Sequence, residues 1–268
     1  MGETLRVYSR IVLARFRAQL SYRVSFALDL FAQAITQLTE LVVILTLFRH
    51  VDALGGFAAH EVLLIYALAG ISFGLADMAV GQLDHLPTLI RTGRFDVLLL
   101  RPLGTLPQLA TLDVQLRRLG RVLVALAVLG YALVVADPTW TPARVALLVV
   151  TPLTGTVIFG SIWVMGCAVC FWVVDGRELA NSVTYGGSLL TSYPITIFPG
   201  WLRRFLAFLV PGAFVAYYPT LALLDRPDPL GLPPLLLAWL GPVVAAATAA
   251  LAGLTWRFAV RHYRGTGS

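Results

Sequence analysis

The chain has 268 residues, of which 58% are hydrophobic and 13% are charged, with a formal net charge of +6 and a mean hydropathy of +0.81. An ordinary soluble domain carries roughly 25% charged residues, so this composition argues against a soluble domain and favours a protein that crosses a membrane several times. All 20 basic residues are Arg, and the sequence contains no Lys. A Walker A loop and pyridoxal-dependent catalysis both require a Lys amine, which excludes both from this chain.

The first segment, 3–20, places apolar residues at helical spacing and several arginines on the opposite face. This pattern predicts an amphipathic helix that lies on the membrane interface and does not cross the membrane. The segment is too polar for the apolar part of a cleavable signal peptide.

Apolar stretches of about 20 residues predict six transmembrane helices. They cover 24–48, 61–83, 119–136, 145–172, 180–198 and 233–256. With a cytoplasmic N-terminus, 15 of the 20 Arg lie on the cytoplasmic side, which predicts that both termini are inside. The five on the outer side are Arg49, Arg144, Arg203, Arg204 and Arg226. Because the Arg residues flank the spans, the net positive charge favours lipid headgroups as partners and not nucleic acid.

The segment 193–232 is rich in Pro and Gly and is predicted to be a broken extracytoplasmic segment. It contains two short apolar pieces, 201–210 and 213–224, each too short to cross a membrane. The pattern favours a re-entrant helical pair covered by the rest of the protein. The alternative is a surface loop that lies on the outer leaflet.

A long segment, 84–118, joins the second and third predicted spans on the cytoplasmic side and contains the run LIRTGRFDVLLLRPL at 89–103. This run predicts a short helix, a break at Gly93 and a second short helix that stops at Pro102. Its charges of both signs surround the apolar patch 97–100, which suits docking against another protein. The alternative is an interfacial helix that anchors the segment to lipid.

The run IRTGRFDVLLLRPLGTLPQ resembles the signature of ABC-2-type transporter permeases, in the six-span exporter subfamily whose loop reads IRxGxLDxLLxRPL. Phe95 stands where Leu is usual in that pattern. The resemblance extends over essentially the whole chain, including SYRVSFALDL at the start of the first span. The matching residues are Ile90, Arg91, Gly93, Asp96, Leu98, Leu99, Arg101, Pro102 and Leu103.

This resemblance implies that 84–118 is a coupling loop received by a separate cytoplasmic ATPase subunit, which would bind the ATP and Mg²⁺. It implies two ATPase subunits and two permease subunits, the second permease being a copy of this chain or a related one. The implied docking residues are Ile90, Arg91, Gly93, Arg94, Phe95, Asp96, Leu98, Arg101 and Pro102. A second, smaller contact is expected at Asp175, Arg177 and Glu178, which are equally consistent with a solvated turn.

The first predicted span carries a polar stripe formed by Asp29, Gln33, Thr36, Gln37 and Glu40. At about 100° per residue these side chains fall within one arc of the helix. Polar groups at membrane depth usually face a bundle interior or a wet cavity, so the stripe is a candidate lining of a substrate pathway. The alternative is a hydrogen-bonded contact between helices or subunits.

In the second predicted span, Gly70, Gly74, Asp77 and Gly81 share one face. Small residues at this spacing favour close helix packing. Asp77 could instead join the polar stripe, and such an acidic pathway would favour cationic or amphipathic cargo.

Two Cys residues, Cys167 and Cys170, lie inside an apolar span, where buried packing is expected. The four His residues are scattered without the spacing of a metal site, so no metal or other cofactor is expected on this chain.

Together these patterns predict one all-α transmembrane domain over 1–268. The function expected is that of the permease subunit of an ATP-driven exporter in the cytoplasmic membrane of a prokaryote. The cargo stays open among drug-like molecules, lipids and peptides. A secondary transporter is the alternative, although repeated halves with matching broken helices are not apparent. An intramembrane lipid-modifying enzyme using Asp29, Glu40 and Asp77 is a further alternative without a recognisable catalytic constellation.

Overall fold

The computed structural model describes residues 23–112, 116–173, 177–228, 231 and 233–263. The interfacial helix predicted at 3–20 lies outside these ranges. Within them the chain is helical and contains no β-strand, only an isolated bridge between Leu54 and Phe57. This confirms the all-α fold class.

The helices follow one another in chain order, several joined by short 3-10 turns. They are α1 (Arg23–Leu47), α2 (Ala59–Val80), α3 (Leu86–Arg91), α4 (Arg94–Leu99), α5 (Thr105–Ala110), α6 (Leu119–Ala136), α7 (Pro142–Ala168), α8 (Arg177–Thr191), α9 (Gly200–Arg204), α10 (Tyr217–Leu224), α11 (Pro234–Trp239) and α12 (Gly241–Arg261).

Five helical stretches in the described ranges are long and apolar enough to cross a membrane. They coincide with five of the six predicted spans. The second runs on without a sharp bend through the 3-10 turn Gly81–His85 into α3, so its 33 residues reach beyond the predicted end at 83. The five stretches are Arg23–Leu47, Ala59–Arg91, Leu119–Ala136, Pro142–Phe171 and Pro234–Arg261.

The helix found at the span predicted for 180–198 is shorter than expected. The structure forms α8 there, a helix of 15 residues that ends at Thr191. At 1.5 Å per residue it is about 22 Å long, shorter than the roughly 30 Å hydrocarbon core. The physical reason is that its first half is polar, with Glu178, Asn181 and Ser182, and that Pro194 follows its end.

The broken segment predicted at 193–232 contains a bent helical pair, Gly200–Ala207 and Gly212–Leu224, with an angle of 67° between its two parts. This geometry fits either a broken span or a re-entrant loop, so the described ranges hold five candidate spans, or six if the pair counts as one. The two apolar pieces predicted from the sequence match the two parts of the pair.

Helix α2 is the centre of the bundle. In its apolar window 83% of the residues are buried, whereas the corresponding value for α1 is 11%. A helix that is apolar on all sides belongs in the interior, and α2 packs against both α6 and α7. Helix α12 packs on α7, and α1 packs on α6, so α1 lies at the edge of the bundle.

Candidate functional site

In its described residues, 84–112 and 116–118, the loop contains the three short helices α3, α4 and α5. Pro87 lies in the first turn of α3, where its missing N–H leaves no hydrogen bond unmade. Gly93 separates α3 from α4 with a φ of 67°, a left-handed conformation that favours Gly. Pro102 follows α4 and cannot extend it. Pro87, Gly93 and Pro102 therefore account for the limits of α3 and α4.

The inner side of the loop is anchored by an aromatic cluster formed by Phe95, Phe171, Trp256 and Tyr263. Phe95 is fully buried, and its ring centroid lies 5.1 Å from that of Phe171 and 5.0 Å from that of Tyr263. The Phe171 centroid lies 5.4 Å from that of Trp256. These edge-to-face arrangements are favourable for aromatic pairs. The cluster joins α4 to the end of α7 and to α12.

Hydrogen bonds hold the rest of the loop in place. The side-chain amide of Gln108 donates to the carbonyl oxygens of Leu98 at 3.1 Å and Leu103 at 2.8 Å. The indole N–H of Trp256 donates to Thr105 Oγ1 at 3.0 Å. Because Trp256 belongs to α12, this last bond ties α5 to a membrane-spanning helix.

Tyr263 follows α12 at the inner side of the loop. Burial of its hydroxyl raises the pKa of Tyr263 to about 12, and the nearby Asp96 carboxylate adds to the increase. The side chain is therefore neutral throughout the physiological pH range and acts as part of the aromatic cluster.

The polar stripe of α1 meets α2 through Gln37. The side-chain N–H of Gln37 donates to the Tyr66 hydroxyl oxygen, and the Tyr66 hydroxyl donates to the main-chain carbonyl of Gln37 at 2.7 Å. Both residues are buried. This pair is a polar contact between two helices at membrane depth.

Farther along the stripe, Glu40 has a partner on α6. Arg121 Nη2 lies 3.4 Å from Glu40 Oε1, and the Arg121 guanidinium carbon lies 4.9 Å from the centroid of the Phe73 ring. The Arg121 side chain is largely buried, while that of Glu40 keeps 39% exposure. A cation over an aromatic face is favourable, so Phe73 helps to hold Arg121 beside the carboxylate.

Asp77 forms the most enclosed ion pair of the site. Its carboxylate contacts the Arg118 guanidinium, with side-chain exposures of 9% and 12%. Gly81 lies beside the pair, and a Cβ there would crowd both the Asp77 carboxylate and the Arg118 guanidinium. We call Glu40, Asp77, Arg118 and Arg121 the charged cluster, in which two carboxylates face two guanidinium groups.

Asp84 connects the start of the loop to α7 and α8. Trp163 Nε1 donates to Asp84 Oδ1 at 2.8 Å, and the Tyr185 hydroxyl lies 3.4 Å from Oδ2. Both aromatic rings also pack on Phe73, at centroid distances of 5.4 and 5.5 Å. The charged cluster and the loop are thus contiguous through these side chains.

The other predicted pathway residues have weaker connections. Asp29 and Gln33 are half-buried. Thr36 is exposed, and its hydroxyl donates to the Ala32 carbonyl of its own helix at 3.1 Å. The structure therefore gives Gln37 a partner on α2, Glu40 a partner on α6 and Asp77 a partner in the turn just before α6, and it leaves Thr36 on the outer surface of α1.

The comparison with known protein families matches residues 34–267 to the family described as ABC-2 family transporter protein. The chain belongs to this family. No match was found among curated proteins or among solved structures. The match confirms the resemblance drawn from the loop sequence. The chain is accordingly a multi-pass membrane protein, a transport subunit and not itself an enzyme, of a family that associates in general with an ABC ATPase.

In this ABC-2 permease the docking residues expected from the sequence divide into two groups. Ile90, Phe95 and Leu98 are buried and support the loop from inside. The exposed members are Arg91, Arg94, Asp96, Arg101 and Pro102, with Gly93 partly exposed between the two short helices. Val97, Leu99 and Leu100 add exposed apolar surface to the same side, and Leu100 is 85% exposed.

The second expected contact of the permease lies largely outside the described residues. Asp175 and the side chain of Arg177 belong to that part. Glu178 is exposed at the start of α8.

Sequence reasoning missed the role of two arginines of the permease. Arg118 and Arg121 were counted as flanking positive charges that orient the spans, whereas the structure pairs them with the two carboxylates. The signal that could have found them is their position at the start of an apolar span, since ionisable residues within spans usually pair with one another.

A metal site is not apparent in the part of the permease that the structure describes. No group of three or more His, Cys, Asp or Glu side chains there could hold a metal ion. Cys167 and Cys170 are buried free thiols within the bundle.

Proposed function

We propose that this chain is the permease subunit of an ATP-driven exporter in a prokaryotic cytoplasmic membrane, with the loop 84–118 as its coupling element. The observation that carries the proposal is the two-sided construction of the loop. Its inner side is fixed to α7 and α12 by the aromatic cluster, while its outer side presents Arg91, Arg94 and Leu100 to solvent. A rigid element with an exposed docking face can carry a partner's movement into the bundle.

The absence of Lys supports a separate ATPase. A P-loop needs a Lys to reach the β- and γ-phosphates, and this sequence has none. ATP and Mg²⁺ would therefore bind on the partner subunits, for which we propose two copies acting on a pair of permeases. The second permease would be a second copy of this chain or a related one.

The distribution of Arg supports the orientation. With the loop in the cytoplasm, 15 of the 20 Arg lie on the cytoplasmic side of the membrane, as the positive-inside rule requires. With six crossings in all, this orientation would also put both termini inside, and it puts the exposed face of the loop where a cytoplasmic ATPase can reach it.

The ion pairs of the charged cluster affect which kind of cargo we expect the permease to carry. An acidic pathway would favour cations, but Glu40 and Asp77 each face an Arg. A preference for cations would then rest on Asp29, which makes no ion pair among the described residues. We propose an amphipathic cargo, moved by alternating access between the two sides of the membrane.

The test is co-purification of the ATPase with tagged variants of the permease. Leu100→Asp and Arg94→Glu change exposed side chains on the docking face, and each should reduce the ATPase recovered at least about tenfold, as expected for a loss of about 1.4 kcal/mol. Arg49→Glu is the matched control for Arg94→Glu. It makes the same charge change at an exposed position just after α1, at the end of the bundle remote from the loop.

Retention of the ATPase in the two loop variants would overturn the docking assignment. Transport by the purified permease in vesicles that contain neither ATP nor an ATPase would overturn the proposed function itself.

A further inference from the structure

A half-open cavity of about 310 Å³ lies between α2, α7 and α12 at the end of the bundle that carries the loop. Its walls include four small residues, Ala79, Gly160, Ala252 and Gly253. Leu106 of α5 borders the cavity on the loop side. The cavity belongs neither to the charged cluster nor to the exposed docking face.

The cavity walls offer few free hydrogen-bonding groups to water. The Thr156 hydroxyl donates to the Pro152 carbonyl and the Ser161 hydroxyl to the Val157 carbonyl, each at 2.6 Å, so both are satisfied within α7. The volume equals that of about ten water molecules at ~30 Å³ each, but apolar cavities disfavour water. A flexible hydrocarbon chain suits such walls, since each buried methylene is favourable.

The cavity lies on a side of the bundle that meets the bilayer. Val157 lines it and is 41% exposed, and Leu153, Leu251, Leu254 and Phe258 are exposed on the adjoining turns of α7 and α12. Exposed apolar side chains at membrane depth face lipid tails. A lipid can therefore enter the cavity from the side.

Two arginines follow the cavity toward the loop end of α12. Arg257 is one helical turn beyond Gly253, and Arg261 is a further turn along; both are exposed. Neither makes an ion pair with any residue in the described ranges. Unpaired basic residues just beyond an apolar segment attract anionic headgroups.

We propose that this cavity binds one acyl chain of an anionic phospholipid from the leaflet on the loop side, with the headgroup phosphate at Arg257. The bound chain contacts Leu106 and so braces α5 against α12, beside the hydrogen bond between Thr105 and Trp256. The inference needs only the membrane location of the chain and does not depend on the proposed transport function.

The test measures lipid binding to the purified full chain by native mass spectrometry, with dioleoylphosphatidylglycerol and dioleoylphosphatidylcholine as probes. These lipids have identical acyl chains and differ in headgroup charge. The wild-type chain should bind one phosphatidylglycerol about fivefold more tightly than phosphatidylcholine, as expected from one basic residue near the headgroup. Arg257→Gln should remove that preference, because a neutral side chain no longer distinguishes the anionic headgroup from the zwitterionic one.

Gly253→Leu should weaken the binding of both lipids at least about tenfold, because the new side chain fills the cavity. A Cβ at Gly253 meets no heavy atom within 4 Å, so the variant has room to fold. Gly130→Leu is the matched control, since Gly130 of α6 has equally open surroundings and lies away from the cavity. If Gly253→Leu does not fold, Ala249→Leu on the exposed cavity wall replaces it.

Unchanged binding of both lipids in the cavity-filling variant would overturn the proposal, as would an unchanged preference for phosphatidylglycerol in Arg257→Gln. Loss of a dimer in the same spectra, with lipid binding unaltered, would assign the cavity to a second copy of this chain and would also overturn it.

Discussion

At the scale of single residues, the ion pair between Asp77 and Arg118 has the clearest consequence for stability. Both side chains are about nine-tenths buried, and neither charge has easy access to water. A buried ion pair contributes little compared with an apolar pair, but the loss of one partner leaves the other charge without compensation. The pair therefore makes folding of α6 onto α2 dependent on both residues.

We expect Asp77→Asn or Arg118→Gln alone to destabilise the chain by about 3–5 kcal/mol. The double variant should lose less than the sum of the two single losses, because neither charge is then left unpaired. Thermal unfolding of the detergent-purified protein measures the difference. Arg49→Gln, at an exposed position, is the control and should stay within about 0.5 kcal/mol of the wild type. Strictly additive losses would contradict the coupling.

The ion pairs within the charged cluster could not be predicted from the sequence. The stripe of α1 is visible as a pattern because its residues are close in sequence and share one helix face. Arg118 lies 41 positions from Asp77 and Arg121 lies 81 positions from Glu40, and no local periodicity relates residues so far apart. Packing of α6 between α1 and α2 decides these contacts.

At the scale of elements, apolar runs located five spans well, since helix length and hydropathy are local properties. Helix α8 was harder to predict because its composition is mixed. Apolar residues at 189–190 continue a helix that begins with polar residues. The loop was read correctly as two short helices around Gly93. Its inward and outward sides could not be assigned, because the aromatic cluster that buries Phe95 is assembled from three distant parts of the chain.

Phe95 and Leu100 give opposite expectations although both are large apolar residues of the same short segment. Phe95→Ala should destabilise the chain by about 3–5 kcal/mol, because it leaves a cavity within the aromatic cluster. Leu100→Ala should stay within about 0.5 kcal/mol of the wild type, since Leu100 is 85% exposed. Thermal unfolding of the two variants measures the contrast, and equal losses would show that the loop is not anchored through Phe95.

At the scale of the whole molecule, α2 is held at its two ends by different ion pairs. Asp77 near one end contacts Arg118, and Glu61 in the first turn lies 2.5 Å from Arg226, which follows α10. The 16 positions between Glu61 and Asp77 span about 24 Å of helix. We therefore expect the two ends to loosen separately, as the alternating access proposed above requires.

Whether the two ends of α2 loosen separately can be tested at the end that is remote from the loop. Arg226 also donates to the Gly56 carbonyl at 2.8 Å, and its guanidinium carbon lies 4.5 Å from the centroid of the Phe57 ring. Hydrogen bonds to charged groups contribute about 1.5–3 kcal/mol. Arg226→Gln should therefore raise amide hydrogen exchange in α10 by about tenfold or more and leave exchange in α4 unchanged.

Hydrogen exchange followed by mass spectrometry resolves the two regions in one experiment. Arg204→Gln is the matched control, because Arg204 is exposed in the same half of the chain and makes no ion pair in the described ranges. Faster exchange in α4 as well as α10 would mean that the two ends of α2 are coupled, since loss of the Arg226 contacts at one end would then have loosened the loop at the other. Faster exchange confined to α10 assigns the contacts of Arg226 to one end of the bundle, and α2 then acts as a fixed axis between two separable ends.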